Sequence, residues 1–355
     1  MERYLRVEFG DKPSIKIPLP MTFEELVERV EYSFKINIWD FSLMFYSPDQ
    51  VMYRIFDNRS YQEALSDNSE HIVTLFVTPK TPMLQRPINH SLTLMGLPRD
   101  IGKAVMYHGL TNSFTVINNP KLIGSARICM LNEGKYLMTG GKHYPRQAIE
   151  IAVPNFEIKE LPDLTIGRSW HASVVWSGKP VILGGRDDNR HVLCSAEMLE
   201  SHVWVEFPPI TIERDSPAAT SYEEAIFVCG GGRSRKGVYV LLNTIDHFSN
   251  GEWNLLGITL PAALTTCGLV AMSATSLMVM GGFNAEGLEV RDVMSVELVG
   301  GSVVQMTSLP HADTFPSNVT VTIGSKVISM GSTAVYSYLM AEERWEAVPL
   351  PANAM

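Results

Sequence analysis

The stretch Arg168-Ser-Trp-His-Ala-Ser-Val-Val-Trp-Ser-Gly-Lys-Pro-Val-Ile-Leu-Gly-Gly185 decides the fold. An alternating run over His171–Trp176 reaches a turn at Ser177-Gly-Lys179, and a second apolar run, Val181-Ile-Leu183, ends in paired glycines. The same ending recurs at Tyr136-Leu-Met-Thr-Gly-Gly141, Ile226-Phe-Val-Cys-Gly-Gly231 and Leu277-Met-Val-Met-Gly-Gly282. It is degenerate at Val327-Ile-Ser-Met-Gly331 and faint at Leu92-Thr-Leu-Met-Gly96. The first glycines stand at 96, 140, 184, 230, 281 and 331, in steps of 44, 44, 46, 51 and 50 residues. Self-similarity at such a period marks a repeat architecture.

A second marker keeps step with the first. An aromatic or β-branched residue is followed six positions on by proline at Phe114 and Pro120, Phe156 and Pro162, Val304 and Pro310, and Trp345 and Pro351. Trp204 and Trp253 stand in the same relation, at other spacings, to Pro208 and Pro261. With an alternating strand before each clear glycine pair, such as Leu269–Ser273 or Val319–Ile323, each unit holds four short strands. That is a propeller blade. Five full units cover about 125–351, and residues 88–124 supply three strands of another, Ser91–Met95, Lys103–His108 and Ser113–Ile117. The expectation is a six-bladed ring over 88–355 with a degenerate first blade, which is either incomplete or strand-swapped with Leu84–Pro87.

These units resemble kelch repeats, which the 168–185 stretch follows through most of its length, with Trp204 as the fourth-strand aromatic. The resemblance implies a kelch β-propeller acting as a scaffold, cytoskeletal linker or substrate adaptor.

Ahead of the repeats the chain changes character. Pro79-Lys-Thr-Pro-Met-Leu-Gln-Arg-Pro87 has three prolines in nine residues, so residues 80–87 read as a linker and 1–79 as a separate module. There, Leu5–Phe9 and Ser14–Leu19 flank a Gly10-Asp-Lys-Pro13 turn, and Thr22 with Glu25 forms a capping box for a helix bearing Phe23, Leu26, Val27, Val30 and Phe34. Strands at Phe41–Tyr46 and Val51–Phe56, a short helix over Ser60–Leu65 and a strand at Ile72–Val77 complete a ββαββαβ order. The expected class is an α+β ubiquitin-like β-grasp. Leu5-Arg6-Val7, Phe23-Glu-Glu-Leu-Val-Glu-Arg-Val30, Asp40-Phe-Ser-Leu-Met-Phe-Tyr46 and Tyr61-Gln-Glu-Ala-Leu65 resemble the Phox and Bem type of interaction domain. That family pairs a basic face with an acidic loop. Here the resemblance implies a basic face at Arg6, with Arg3 and Lys16; Ser47-Pro-Asp-Gln-Val51 departs from the acidic-loop pattern.

Composition narrows the function classes. A 45% hydrophobic fraction with 19% charge excludes wholesale disorder, and a net charge of −9 gives no global attraction to nucleic acid or anionic lipid. Gly268–Met280 is interrupted by Ser273, Thr275 and Ser276, so no membrane span is expected. Met1–Phe9 carries Glu2, Arg3, Arg6 and Glu8 where a secretory leader would be apolar. The expected location is cytoplasmic, with cytoskeletal or organelle association open. Cys129, Cys194, Cys229 and Cys267 form no CxxC, so neither zinc nor a redox dithiol is indicated.

No catalytic motif stands out. Gly230-Gly-Gly-Arg-Ser-Arg-Lys-Gly237 lacks the ending of a phosphate loop, and Asp187-Asp-Asn-Arg-His191 has no second ligand cluster for a metal. Neither cofactor nor metal is expected. The loops offer cations instead: Lys142, His143, Tyr144 and Arg146, Arg186 and Arg190, and Arg233, Arg235 and Lys236 follow the glycine pairs, while Arg168 and Arg214 precede inner strands. Converging on one rim, they would hold an acidic or phosphorylated protein segment, since guanidinium forks bind carboxylate and phosphate bidentately. Ordinary solvated loop charges are the alternative. The function expected is a non-enzymatic protein-binding scaffold or adaptor that docks or forms homo- or hetero-oligomers through the β-grasp; the rival is an enzyme acting on a small molecule in the central channel.

Overall fold

In a computed structural model of the protein, Ala172–Trp176 and Lys179–Leu183 pair antiparallel across a tight turn whose central residues, Ser177 and Gly178, have φ of 46° and 72°. Positive φ at both turn positions matches the right-handed twist of the flanking strands. Ala196–Glu200 and Val203–Phe207 add outward in sequence order to complete one four-stranded sheet. Four-stranded sheets of the same kind are built over residues 127–160, 218–259, 268–305 and 320–349. A three-stranded sheet comprises Thr93–Gly96, Lys103–His108 and Ser113–Asn118. Together these sheets make a six-bladed, all-β propeller, whose blades 1 to 6 in chain order span residues 93–118, 127–160, 172–207, 218–259, 268–305 and 320–349.

The structure describes residues 102–354 except 110, 133, 154, 236, 317–318 and 324–325. Before these it describes 4–9, 12–18, 22, 25–26, 29–30, 33, 41–46, 52–55, 72–79 and 93–97. The chain divides into two compact units, Met1–Met83 and Leu84–Met355. The expected linker at 80–87, and with it Leu84–Pro87, lies outside the described residues, as does the expected helix at Ser60–Leu65.

The propeller core lies in the seams between blades. Val181, Leu183 and Phe207 of blade 3 meet Ile226, Val228 and Phe248 of blade 4, and Cys129 and Leu137 of blade 2 meet Ile182 and Trp204 of blade 3. Ring closure uses the same chemistry: Leu94 and Met106 of blade 1 pack with Val321, Met330 and Val335 of blade 6 and with Ile128 and Ile151 of blade 2. The three strands of blade 1 match the second, third and fourth strands of its neighbours, since Thr93–Gly96 carries the glycine that ends a second strand. Outer-strand tryptophans tie blade to blade by polar contacts as well as by packing. The indole N–H groups of Trp204, Trp253 and Trp345 each donate, at 2.8 Å, to the carbonyl of Pro162, Pro208 and Thr307 just beyond the preceding blade's outer strand.

One feature departs from the repeat. Between the second and third strands of blade 4, Gly232–Arg235 and Val238–Leu241 form a separate hairpin. The run expected to be only a glycine-rich loop is therefore half of a hairpin. Its register pairs Arg233 with Val240 and Arg235 with Val238, and puts Ser234 and Tyr239 on the other face.

In the first unit β1 (Tyr4–Phe9), β2 (Lys12–Pro18), β3 (Phe41–Tyr46), β4 (Met52–Ile55) and β5 (Ile72–Pro79) form one sheet in the order β2-β1-β5-β3-β4. The central β1–β5 pair is parallel and the others are antiparallel. Glu25, Leu26, Arg29, Val30 and Ser33 are helical. The capping box is formed: the Glu25 N–H donates to Thr22 Oγ1 and the Thr22 N–H to Glu25 Oε2, both at 3.2 Å.

Candidate functional site

The loops after the glycine pairs and the segments entering the inner strands lie side by side at one end of the propeller, as bridges between Ser169 and Arg186, Asp215 and Gly232, and Thr265 and Phe283 show. The glycines make this approach possible. The N–H of Gly141, Gly185, Gly231 and Gly282 donates to the carbonyl of Arg168, Arg214, Leu264 and Asp313 in the next blade, at 2.8–3.0 Å. A Cβ on Gly184 would stand 2.6 Å from the Arg214 carbonyl oxygen, so only glycine admits the neighbouring chain. Nearer the axis a second ladder runs round the ring, in which the N–H groups of Trp170, Ser216, Thr266 and Phe315 donate to the carbonyls of Ser125, Trp170, Ser216 and Thr266. Ser125, Trp170, Ser216 and Thr266 are all held at φ between 51° and 65°, and all are half-buried. This repeated left-handed conformation in residues other than glycine marks the rim of the axial mouth.

The expected ligand cations divide sharply. Arg168 and Arg214 are not on the mouth; both are fully buried. Arg168 pairs with Glu197 at 2.7 Å and donates to the carbonyls of Gly184 and Ser195, both at 2.9 Å. Arg214 pairs with Asp246 at 2.9 Å and donates to the carbonyls of Gly230 at 2.7 Å and Thr244 at 3.1 Å. Their guanidiniums satisfy the glycine turn and the third strand of their own blade, so they hold the scaffold and are closed to a ligand. The readable signal was the acid at the matching third-strand position, Glu197 in one blade and Asp246 in the next.

Arg186 reaches the mouth but is already engaged. Its Nη2 lies 2.6 Å from Asp215 Oδ2, and its guanidinium carbon stands 4.9 Å from the Tyr239 ring centroid and 5.7 Å from that of Trp170. The Tyr239 hydroxyl donates to the same Asp215 oxygen at 2.9 Å, so the inserted hairpin is stitched to the mouth by its inner face. Burial, and then the Asp215 charge, push the Tyr239 phenol up, which keeps it a hydrogen-bond donor.

The other cations remain available. Lys142, His143, Tyr144, Arg146, Arg190 and Arg235 are exposed and Arg233 is half-buried, while Lys236 lies outside the described residues. Among the described residues, none of Lys142, Arg190, Arg233 and Arg235 has an ion-pair partner. The acid-rich loop between them closes on itself: Asp187 accepts the backbone N–H of His191 at 2.7 Å and lies 3.1 Å from its Nδ1. Among the described residues, no three His, Cys, Asp or Glu side chains gather as metal ligands. Cys129, Cys229 and Cys267 are buried and Cys194 is exposed, all as free thiols. In the first unit, Arg6 and Lys16 face each other across β1 and β2, and Arg6 pairs with Glu8 at 2.9 Å; Arg3 lies outside the described residues.

Sequence reasoning missed Arg127. It is the first residue of the inner strand of blade 2, Arg127–Asn132, and is only 5% exposed. Its one hydrogen bond within the described structure is a 3.4 Å contact from Nη1 to the carbonyl of Ala126. Burial pulls the guanidinium down to about 10, with Asp215 opposing. His171 beside it is fully buried; its Nε2 meets Thr139 Oγ1 at 2.8 Å and its Nδ1 has no partner. Burial first, and then the charges of Arg168 and Arg127, hold His171 well below the ordinary imidazole range, so the ring is neutral. The signal was a lone arginine opening the apolar strand Arg127-Ile-Cys-Met130. Neither a family model nor a curated protein matches the chain.

Proposed function

We propose that this chain is a non-enzymatic scaffold or adaptor of kelch type, whose propeller mouth holds an acidic or phosphorylated segment of a protein ligand in the cytoplasm. The observation that carries the reading is the division of the cations. Arg168, Arg186 and Arg214 are neutralised by Glu197, Asp215 and Asp246, whereas Lys142, Arg190, Arg233 and Arg235, on the corresponding loops of three successive blades, have no ion-pair partner among the described residues. Unpaired cations on one face of an acidic protein favour an anionic partner, which charge-assisted hydrogen bonds can orient. The first unit, read as a β-grasp of Phox and Bem type, supplies docking or oligomerisation through Arg6 and Lys16. Its sheet order, its central parallel pair and its capped helix after the first hairpin support that reading.

The test is capture of acidic and phosphorylated peptides by the full chain, compared with the triple variant Lys142→Ala, Arg190→Ala, Arg235→Ala. About tenfold weaker capture is expected, with thermal stability retained because these side chains are exposed. Unchanged capture removes this face as the site.

A further inference from the structure

The charge of Asp215 acts on two guanidiniums, that of Arg186, with which it pairs, and that of Arg127 at the start of the inner strand of blade 2. Asp215 is taken by Arg186 and by the Tyr239 hydroxyl, and Arg127 has no ion-pair partner among the described residues. Among the described residues Asp215 is paired with Arg186 and acts on Arg127 only through its charge, so two guanidiniums share one carboxylate and one net positive charge remains. A buried, unpaired charge is strongly unfavourable, and a well-folded core removes it, pairs it or uses it. Arg127 stands two residues after Ser125 and so beside the rim ladder, where Ser125 and Trp170 keep partial exposure. On the same seam His171 is bonded through Nε2 alone. If the Thr139 hydroxyl donates to Nε2, the free Nδ1 carries a proton and becomes a second orphan donor.

We propose that Arg127 is the receptor for a carboxylate that enters the axial mouth, supplied by an aspartate or glutamate side chain of the protein ligand. The inference rests on the reading of the mouth as a protein-binding face and identifies where one acidic side chain of that ligand ends. A monoanion fits the charge count, because it neutralises the single uncompensated guanidinium. A phosphate dianion would leave excess negative charge facing Asp215. The carboxylate completes a set that sequence inspection of the loops does not reveal, since its receptor lies on a strand.

The full chain is titrated with glutarate, with a capped peptide of alternating glutamate and glycine, and with inorganic phosphate, at matched ionic strength. Stabilisation against heat and binding heat are read. The expected result is saturable stabilisation by both carboxylate probes, with the peptide the tighter. Arg127→Met should lose the glutarate response and bind the peptide about tenfold less tightly. Its own melting temperature should equal or exceed that of the parent, because a thioether chain fills the space without an unpaired charge. Arg127→Lys should weaken both probes, since an ammonium keeps the charge but loses the fork.

A lower melting temperature in Arg127→Met makes the residue a structural one and overturns the proposal. So does a response to phosphate alone, no response in the parent protein, or full peptide binding by Arg127→Met. If the Lys142, Arg190, Arg235 triple variant loses the peptide while Arg127→Met keeps it, the mouth reading stands and this inference fails. If neither variant affects the peptide, both fail.

Discussion

The carboxylate of Glu197 lies 2.7 Å from the guanidinium of Arg168, and the two side chains are 4% and 0% exposed. The same carboxylate accepts the backbone N–H groups of Thr165 at 2.7 Å and Ile166 at 3.1 Å, so one acid fixes both the arginine and the segment leading into blade 3. Blade 4 repeats the device with Arg214 and Asp246, where Asp246 also takes the Thr211 hydroxyl. Blades 5 and 6 place Leu264 and Asp313 at the arginine's position, and Asp313 accepts the backbone N–H groups of Thr314 at 2.8 Å and Ser332 at 3.1 Å.

Removing one member of the buried pair leaves the other charge without compensation. Arg168→Ala is expected to cost roughly 3–5 kcal/mol of stability, read as a lower urea midpoint. The double variant Arg168→Met, Glu197→Gln should cost less than the sum of the two single changes, because no lone buried charge remains. Additivity of the two changes would show that the pair does not act as a unit.

Glycine substitutions separate backbone strain from steric conflict. Gly178 has φ of 72° with nothing within 4 Å of an added Cβ, so Gly178→Ala should cost about 1–2 kcal/mol from conformation alone. Gly185 has φ of 92°, and an added Cβ would lie 2.6 Å from the Ser169 carbonyl oxygen and 2.8 Å from His171 Cβ. Gly185→Ala therefore carries the conformational cost plus roughly 1–3 kcal/mol of overpacking. Equal losses in urea denaturation would refute the close approach of Ser169 and His171 as the reason for the glycine.

These positions also explain what could be read from the chain. The blade count was legible because a carbonyl of the next blade arrives at Gly140, Gly184, Gly230 and Gly281, whereas at the fainter copies, Gly96 and Gly331, the close neighbours are the side chains of Met330 and Asp313. The outer-strand markers were legible because Trp204, Trp253 and Trp345 meet a real chemical need at the preceding blade's edge. The direction of Arg168 and Arg214 was not, because an arginine before an inner strand reads the same whether it turns to water or to its own third strand. Only the distant acids Glu197 and Asp246 distinguish the two. Arg127 escaped notice for the opposite reason: a single charge in an apolar strand has no repeat to announce it. The hairpin at Gly232–Leu241 was hidden by glycines that the blade already required.

Acid should destabilise the propeller from near neutrality. Folded His171 stays neutral well below 6.5, while in the unfolded chain it protonates near that value. The unfolded state therefore binds more protons as pH falls, and the stability held above pH 6.5 is lost below it. The slope approaches about 1.4 kcal/mol per pH unit for one group. His247, held low by partial burial, acts in the same direction. Urea denaturation from neutral pH into the acid range should show this loss, and His171→Gln should flatten it. A parent protein with no loss between pH 6.5 and the carboxylate range would contradict a buried neutral imidazole.

On the first unit, Arg6 and Lys16 are cross-strand partners, and like charges directly opposite repel. The half-buried Glu8, 2.9 Å from the exposed Arg6, relieves this only partly, since an ion pair open to solvent is weak. On the docking reading proposed above, this patch would receive a carboxylate from another molecule. Arg6→Glu in the full chain should abolish concentration-dependent association in sedimentation velocity while shifting stability by no more than about 0.5 kcal/mol. The parent association should also weaken as salt is raised, because exposed charges are screened beyond about 10 Å at 0.1 M. Association that survives both the substitution and the salt would place the contact elsewhere and remove the basic face from the docking reading.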